Sequence, residues 1–323
     1  RFERLTSRMP PALPGDGYTQ RISRNREFHM VFRHLFAVGI AAMIAQSAAS
    51  AGVLDRINAG GKLVIAYRES SVPFSYIDPA SGKPVGYALD LCQKLAEAVR
   101  QKTAKKEMGV TYLQVTSANR ISAIEQGKAD LECGSTTNNA ERREKVAFTV
   151  PHAVIGARIL VRANSPITGL NDLKGKKLVS TKGTSPLQVV TQANKTHLMG
   201  ITIMEAPDHE KAFAMVVKGE ADAFVMDDVL LYGLIAGSHN SAEFKVVGKY
   251  LTTEPLAIML PKGDTAFKQL IDAEMKRIIS SREIYPIYDK WFMQPIPSGI
   301  KLNLPMNHLT RDNFKFPSSE VML

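Results

Sequence analysis

The chain has 323 residues, of which 45% are hydrophobic and 22% are charged, with 41 Lys and Arg against 31 Asp and Glu. This composition is that of a globular protein and excludes long disorder, collagen and coiled coil, while the length favours two domains. The net charge of +10 does not indicate a nucleic-acid partner, because no run of five or more Lys or Arg occurs.

The N-terminal part of the sequence does not read as a folded domain. Residues 1–29 are polar, basic and rich in Pro, and we expect them to be upstream sequence ahead of a start at Met30. Residues 30–51 combine a basic start, an uncharged run over 35–44 and the pattern Ala49-Ser50-Ala51, as in a secretory signal peptide. The apolar run is shorter than the about 20 residues that span a bilayer. We predict export with cleavage after Ala51; an uncleaved membrane anchor is the alternative.

Strand-like and helix-like segments alternate from Leu54 onward, which predicts an α/β fold with crossover connections. In the first half the predicted strands are 62–67, 111–115 and 129–133, and the predicted helices are 90–100, 119–126 and 139–145. In the second half the predicted strands are 177–180, 201–204, 221–226, 245–250 and 256–260, and the predicted helices are 186–194, 211–217, a helix from Val229, 264–280 and 284–292. The tail from Pro295 is expected to wrap the surface.

Two segments share one pattern, AIEQGKADLECGS at 123–135 and MVVKGEADAFVMDD at 215–228. Each reads as a helix end, a Gly stop and a strand that delivers polar residues at its carboxyl end. The repeat predicts two similar α/β lobes. Because ligands of open α/β sheets bind beyond the carboxyl ends of strands, two facing lobes would enclose a ligand between them.

The chain has two cysteines, Cys92 in a helical pattern and Cys133 at the end of a predicted strand. Export to an oxidising compartment would permit a disulfide between them. The sequence leaves two alternatives open, a disulfide or two buried thiols.

Motifs for catalysis or metal binding are absent from the sequence, which contains no HExxH, CxxC, GxSxG or GxGxxG. The seven His show no metal-ligand spacing, so no metal or cofactor is predicted. No nucleophile–base pair can be argued from local sequence, and binding is favoured over catalysis.

Eight motifs of the sequence occur together: YRESSVPFSY (67–76), GYALDL (86–91), TSANR (116–120), ECGSTTNNAERR (132–143), TKGTS (181–185), DHEKAF (208–213), FVMDD (224–228) and WFMQPIP (291–297). They resemble the extracytoplasmic solute-binding proteins (family 3) of amino-acid ABC transporters and, within that family, the glutamate/aspartate-binding branch. The resemblance implies a two-lobed periplasmic-binding-protein fold of class II type, with two hinge strands and the ligand in the cleft. The first lobe would comprise 52–149 plus 251–323 and the second 150–250, with hinges near 149–153 and 248–252.

An acidic amino acid carries two carboxylates and one ammonium, so a cleft that encloses it needs at least two cations and one anion. The resemblance implies that Arg142 holds the α-carboxylate, with Thr184 meeting it from the second lobe. It implies that Asp227 pairs with the ammonium, helped by Ser135 and Thr137.

The resemblance also implies a second cationic group, which would make the site specific for an acidic side chain. Arg68, Ser117, Arg120 and His209 would surround the side-chain carboxylate. Phe74 would pack against the methylenes of the ligand, although it could equally be a core residue.

Several alternatives remain at this point. Asp228 neighbours Asp227 and could be the ammonium partner instead. The chain could be an enzyme on the same fold, such as a cyclohexadienyl dehydratase, a sensor ectodomain, or a binder of a neutral or polar amino acid. The favoured interpretation is a monomeric periplasmic protein that captures L-glutamate or L-aspartate and delivers it to membrane ABC permease subunits, with no enzymatic activity.

Overall fold

The computed structural model describes residues 52–320, so the predicted leader and signal peptide of residues 1–51 lie outside the described residues. In residues 52–320 the helices are α1 (Val53–Asn58), α2 (Tyr87–Lys102), α3 (Arg120–Glu125), α4 (Ala140–Arg143), α5 (Ser185–Thr196), α6 (His209–Val217), α7 (Asp228–Ala236), α8 (Thr265–Ser280), α9 (Ile284–Phe292) and α10 (His308–Lys315). The strands are β1 (Leu63–Arg68), β2 (Ser70–Ser71), β3 (Ser75–Ile77), β4 (Pro84–Val85), β5 (Val110–Val115), β6 (Leu131–Cys133), β7 (Val146–Phe148), β8 (Ala153–Ile155), β9 (Ala157–Arg162), β10 (Lys177–Thr181), β11 (Thr202–Ala206), β12 (Ala223–Asp227), β13 (Phe244–Val247), β14 (Glu254–Leu256) and β15 (Met259–Pro261).

The first lobe is built on a sheet with the strand order β5-β1-β6-β15-β7. β1 is parallel to β5 and β6, while β15 runs antiparallel between β6 and β7. Leu63, Ile65 and Ala66 of β1 are fully buried, as expected for a strand covered on both faces. Parallel pairing brings the carboxyl ends of β1, β5 and β6 to one edge of the sheet.

The second lobe is built on a sheet with the order β11-β10-β12-β9-β13. β10 is parallel to β11 and β12, and β9 runs antiparallel to β12 and β13. The carboxyl ends of β10 and β12 therefore share an edge. Two α/β lobes with crossover connections are present, as the sequence predicts.

Side chains cap the helices that carry the polar loops of the second lobe. The Thr184 hydroxyl accepts a hydrogen bond from the Leu187 backbone N–H at the start of α5, where Pro186 occupies a favoured first-turn position. The Asp208 carboxylate accepts one from the Lys211 N–H (2.7 Å) at the start of α6. These caps place the first residues of α5 and α6 at the carboxyl ends of β10 and β11.

Two extended segments connect the lobes, and their strands β8 and β14 pair with each other antiparallel. The predicted strand 256–260 is wrong as a single element, because β14 belongs to this connection and β15 to the first sheet. Between them, the Ala257 N–H donates to the Thr136 carbonyl, outside both sheets. The predicted strand 245–250 ends at Val247, since Gly248 has a φ of 80°. The predicted hinge 149–153 ends at the first residue of β8, and the predicted hinge 248–252 precedes β14. Rotation about these hinges stays a prediction.

Cys92 on α2 and Cys133 at the end of β6 form a disulfide, with Cα atoms 6.4 Å apart. Both residues are fully buried in the first lobe. The bond ties the main helix of that lobe to the strand that leads into the ECGST motif.

The tail does more than cover the surface, because α10 closes the free edge of β8. The Thr310 hydroxyl accepts from the Val154 N–H (2.9 Å) and donates to the Val154 carbonyl (3.1 Å). The Asn307 side-chain amide donates to the same carbonyl (2.8 Å). Over 52–320, no helix has both the length and the apolar character to cross a bilayer.

Candidate ligand-binding cleft

The residues predicted for the site lie where strands of both sheets end. Arg68 is the last residue of β1, and Ser135 and Thr137 follow β6. In the second lobe, Asp227 is the last residue of β12 and Thr184 follows β10. Both sheets therefore present polar groups at their carboxyl edges, as the repeat predicts.

Three arginines of the first lobe are buried at this edge. Arg68 is fully buried, and Arg120 and Arg142 are 2% and 7% exposed. Arg142 donates to the Thr137 carbonyl (3.0 Å) and, across the cleft, to the Gly183 carbonyl (3.4 Å). By contrast, none of the three guanidinium nitrogens of Arg68 has a hydrogen-bond partner among the described residues.

The charges of these arginines act on one another. Burial, and secondly the charge of Arg120, lowers the pKa of Arg68 to about 10. The same two causes lower the pKa of Arg142 to about 10. Burial is also the main cause that lowers the pKa of Arg120, opposed by the carboxylates of Glu132 and Asp227. The arginines thus form one electrostatic cluster, in which each guanidinium lacks part of its hydration.

His209 faces the cluster from the second lobe. Its ring Nδ1 lies 2.8 Å from the Thr181 hydroxyl, and its Nε2 is buried without a partner in the described chain. Burial, followed by the charges of Arg68 and Arg120, holds the His209 pKa well below its usual value. The imidazole is therefore neutral at pH 7. When the Thr181 hydroxyl donates to Nδ1, Nε2 carries the proton and points a donor into the cluster.

The structure separates the two candidate aspartates. Both oxygens of Asp228 are engaged, one by the Val229 N–H (2.8 Å) and the other by the Tyr250 hydroxyl (2.9 Å). Asp227 is 1% exposed, and its Oδ1 has no partner within residues 52–320. Burial, and then the charge of Glu254, raises the Asp227 pKa well above its usual value. Of the two aspartates, Asp227 is therefore the one with a buried oxygen left to accept a hydrogen bond.

The two lobes touch across the cleft. Gly183 has a φ of 80°, and a Cβ there would lie 2.7 Å from the Ala118 Cα and from the Ser117 carbonyl oxygen. The Thr137 and Ser185 hydroxyl oxygens, one from each lobe, are 2.9 Å apart. Ser117 adds a buried hydroxyl with no partner in the part of the chain that the structure describes. The lobes therefore enclose the cluster.

Two predicted residues are engaged elsewhere. The Thr184 hydroxyl donates to the Thr181 carbonyl (2.7 Å) and caps α5, so only neighbouring N–H groups remain for a ligand. Phe74 is fully buried in an aromatic cluster with Tyr87, His152 and Phe292, at ring-centroid distances of 6.2, 5.9 and 5.6 Å. Its packing is that of a core residue.

Sequence reasoning missed three buried residues of the cluster: Glu132, Ser185 and Glu254. Glu132 Oε2 accepts from the Thr136 hydroxyl (2.7 Å), while its Oε1 has no partner in the described residues. Glu254 Oε2 accepts from the Ser185 hydroxyl (2.8 Å). These two glutamates face the arginines and add two carboxylates to that of Asp227. Glu132 lies in both the predicted strand 129–133 and the ECGSTTNNAERR motif, and the motif is the sequence signal that could have identified it.

Among the described residues, no group of three or more His, Cys, Asp or Glu could hold a metal ion. The arrangement consists of buried groups that have no partner within 52–320, chiefly the Arg68 guanidinium, the Ser117 hydroxyl and His209 Nε2, together with free carboxylate oxygens on Asp227 and Glu132. Groups of this kind suit a small ligand that carries both anionic and cationic charge.

Two α/β lobes joined by two strands, with buried charged groups at their facing edges, define a two-lobed ligand-binding protein. Residues 63–294 match the family model of bacterial extracellular solute-binding proteins, family 3. The chain is 40% identical over 271 residues to the L-glutamate/L-aspartate-binding protein of Pseudomonas aeruginosa, covering 84% of this chain and 90% of that protein. It is 36% identical over 293 residues to the glutamate/aspartate import solute-binding protein of Escherichia coli, covering 89% and 97%. The chain belongs to family 3 of the bacterial extracellular solute-binding proteins, as the motifs predict.

Solved structures agree with the fold. An ancestral arginine-binding protein bound to arginine has a TM-score of 0.64 at 27% identity, covering 72% of this chain and 98% of that one. A mutant of ArgBP from T. maritima has a TM-score of 0.67 at 24% identity, covering 75% and 99%, which bears on the fold alone. The two-lobed periplasmic-binding-protein architecture is confirmed.

Proposed function

We propose that this protein captures L-glutamate or L-aspartate between its lobes and delivers it to the membrane subunits of an ABC permease. The single observation that supports the proposal most strongly is the Arg68 guanidinium, fully buried with no hydrogen-bond partner for any of its nitrogens in the described residues. A buried guanidinium without an acceptor costs several kcal/mol, and a ligand carboxylate would supply the acceptor. The names of the two relatives agree with this ligand class.

The proposed contacts divide the cleft into two ends. At one end, Arg142 and the N–H groups around Thr184 would bind the α-carboxylate, and Asp227, Ser135 and Thr137 would bind the ammonium. At the other end, the side-chain carboxylate would accept hydrogen bonds from Arg68, Ser117, Arg120 and His209. Glu132 reduces the net charge at this end without removing the unpartnered donors, so the selection of a carboxylate rests on donors rather than on net charge.

Capture would proceed by closure of the lobes. Each lobe contributes part of the site, so a ligand that bridges them stabilises the closed form by its extra affinity for that form. The permease would then recognise the closed protein. Because the relatives are named as binding proteins, we propose that the chain has no catalytic role.

The family is extracellular, and we propose the periplasm as the compartment in which this protein acts. The Cys92–Cys133 disulfide supports an oxidising compartment. Cleavage after Ala51 and a monomeric state remain predictions.

Titration calorimetry of residues 52–323 with glutamate, aspartate, glutamine and histidine tests the proposal. We expect glutamate and aspartate to bind at least 100-fold more tightly than glutamine, since breaking a buried charge pair costs about 3–5 kcal/mol. Arg120→Gln should lose glutamate affinity by a similar factor and change glutamine affinity far less. The matched control is Arg143→Gln, whose half-buried guanidinium donates to the Asn138 side chain outside the cleft (2.8 Å).

Equal affinity of the unaltered protein for glutamine and glutamate would refute the proposed ligand class. Turnover of prephenate or arogenate, measured by product release in the same preparation, would show that the protein is an enzyme on this fold instead.

A further inference from the structure

The side chains of Thr137, Ser185 and Glu254 form a continuous hydrogen-bonded series beside the three arginines. The Thr137 and Ser185 hydroxyl oxygens are 2.9 Å apart, and the Ser185 hydroxyl donates to Glu254 Oε2 over 2.8 Å. All three residues are buried, with Glu254 only 2% exposed. Ser185 is the only hydrogen-bond donor to the Glu254 carboxylate within residues 52–320.

The direction of these hydrogen bonds follows from the number of protons available. A serine hydroxyl carries one proton, and an ionised carboxylate can only accept. The Ser185 proton is therefore committed to Glu254, so Thr137 must donate its own proton to Ser185. The oxygen of Thr137 then has no proton to offer the cleft, and its remaining lone pair can only accept.

The three residues come from three parts of the fold. Thr137 follows β6 in the first lobe, Ser185 begins α5 in the second lobe, and Glu254 lies on the connecting strand β14. The backbone of Thr137 also forms a β-bridge with Leu256 of β14. The hydrogen-bonded series can therefore be complete only when the lobes meet. The connecting strand β14 carries Glu254 and is bridged to Thr137, so it positions both ends of the series.

We propose that Glu254 is a positioning residue that acts through Ser185 to fix Thr137 as an acceptor for the ammonium of the bound amino acid. The inference rests on the proposed function, because it assumes an amino-acid ligand in this cleft. It adds Glu254 and Ser185 to the site as residues that select a ligand with an ammonium, beside the direct partner Asp227.

Substitutions of Glu254 separate its role as an acceptor from its charge. Glu254→Leu removes the acceptor, and we expect glutamate affinity to fall by about ten- to hundred-fold, mainly through faster dissociation. Glu254→Gln keeps a side-chain carbonyl for Ser185 and should restore affinity to within about five-fold of the unaltered protein. Ser185→Ala should resemble Glu254→Leu. The matched control is Glu141→Gln, an exposed carboxylate that also accepts a hydrogen bond across the lobes, from Gln188 (3.3 Å).

A double-mutant cycle tests whether Glu254 acts through Thr137. Thr137→Val removes the hydroxyl that would accept from the ammonium, so Glu254→Leu should cause little further loss in that background. Calorimetry and stopped-flow dissociation supply the binding data, and a thermal unfolding curve of each variant reports whether it is folded. A purely structural role for Glu254 would lower stability equally in both backgrounds without this coupling.

The outcomes distinguish this inference from the proposed function. If the unaltered protein binds no acidic amino acid, the proposed function fails first. The inference alone is overturned if the unaltered protein binds glutamate and Arg120→Gln weakens that binding at least 100-fold, but the affinity losses from Thr137→Val and Glu254→Leu multiply independently. Affinity unchanged in a folded Glu254→Leu protein would overturn it as well.

Discussion

Replacement of Gly183 by alanine should block closure while leaving both lobes folded. Gly183 belongs to the second lobe, and a Cβ at this position would lie 2.7 Å from the Ala118 Cα of the first lobe. Carbon atoms that are not bonded normally approach to about 3.5–4.0 Å, so the lobes would have to separate by roughly 1 Å. Backbone atoms form the obstacle, and they cannot move aside as a flexible side chain could.

The cost of that separation can be estimated from the hydrogen bonds that cross the cleft. Arg142 donates to the Gly183 carbonyl at 3.4 Å, and the Thr137 and Ser185 oxygens are 2.9 Å apart. An increase of roughly 1 Å takes both beyond hydrogen-bonding distance. A bond to a charged group contributes about 1.5–3 kcal/mol and a neutral one about 0.5–1.5, so the loss is about 2–4.5 kcal/mol. Glutamate affinity should therefore fall roughly 30- to 2,000-fold.

Gly175→Ala is the matched control. Gly175 has a φ of 70°, close to that of Gly183, but a Cβ there would meet nothing within 4 Å. Both variants should lose about 1 kcal/mol of unfolding free energy from the left-handed backbone. Urea unfolding measures that shared cost, calorimetry measures affinity, and small-angle scattering with glutamate reports closure. If Gly183→Ala bound glutamate within about three-fold of Gly175→Ala, the reasoning would be refuted.

Three further predictions concern stability. Replacing Cys92 and Cys133 together by alanine should lower the unfolding free energy by about 4 kcal/mol, because the disulfide closes a loop with a sequence separation of 41; urea unfolding that matches the unaltered protein would contradict this. Burial lowers the His152 pKa from 6.5 to about 3, so between these pH values the unfolded chain binds a proton that the native protein does not. The resulting stabilisation of the native protein is fully present above pH 6.5 and is lost as the pH falls from 6.5 to 3. From pH 7 to pH 5 the protein should therefore lose about 2 kcal/mol more than His152→Phe, and parallel pH profiles would exclude this role. Thr310→Val should destabilise the protein by about 1–3 kcal/mol, because it removes the partner of the Val154 N–H; urea unfolding checks the value, and no change would show that the tail does not support β8.

Much of the architecture could be predicted because the helices and strands are marked by local signals. The apolar run of β1 and the Gly residues that end helices predict where strands and helices alternate. Parallel pairing within each sheet then brings the ends of β1 and β6 to one edge and the end of β12 to the facing edge. The positions of Arg68 and Asp227 at strand ends follow from this logic. Their convergence in one cluster, visible in their effects on the pKa values of their neighbours, depends on how the lobes meet.

The remainder of the site depends on contacts between distant segments. Glu254 lies on a three-residue strand, too short for any periodicity, and its partner Ser185 lies 69 positions away. Thr184 is a sequence candidate because it carries a hydroxyl near a strand end, but the local geometry of α5 uses that hydroxyl as a cap. The boundary between β14 and β15 was missed because a continuous apolar run does not reveal that the chain leaves one sheet for another.

The strand order of the first sheet has a consequence for biosynthesis. β15, which reaches Pro261, sits between β6 and β7, whereas every strand of the second sheet lies within 157–247. As the chain emerges from the ribosome, the second lobe has all its strands available while the first still lacks an internal one. The first lobe, although it begins earlier in the polypeptide, therefore completes its sheet after the second lobe. Until β15 is in place, β6 and β7 have exposed edges with which a chaperone or another nascent chain could pair.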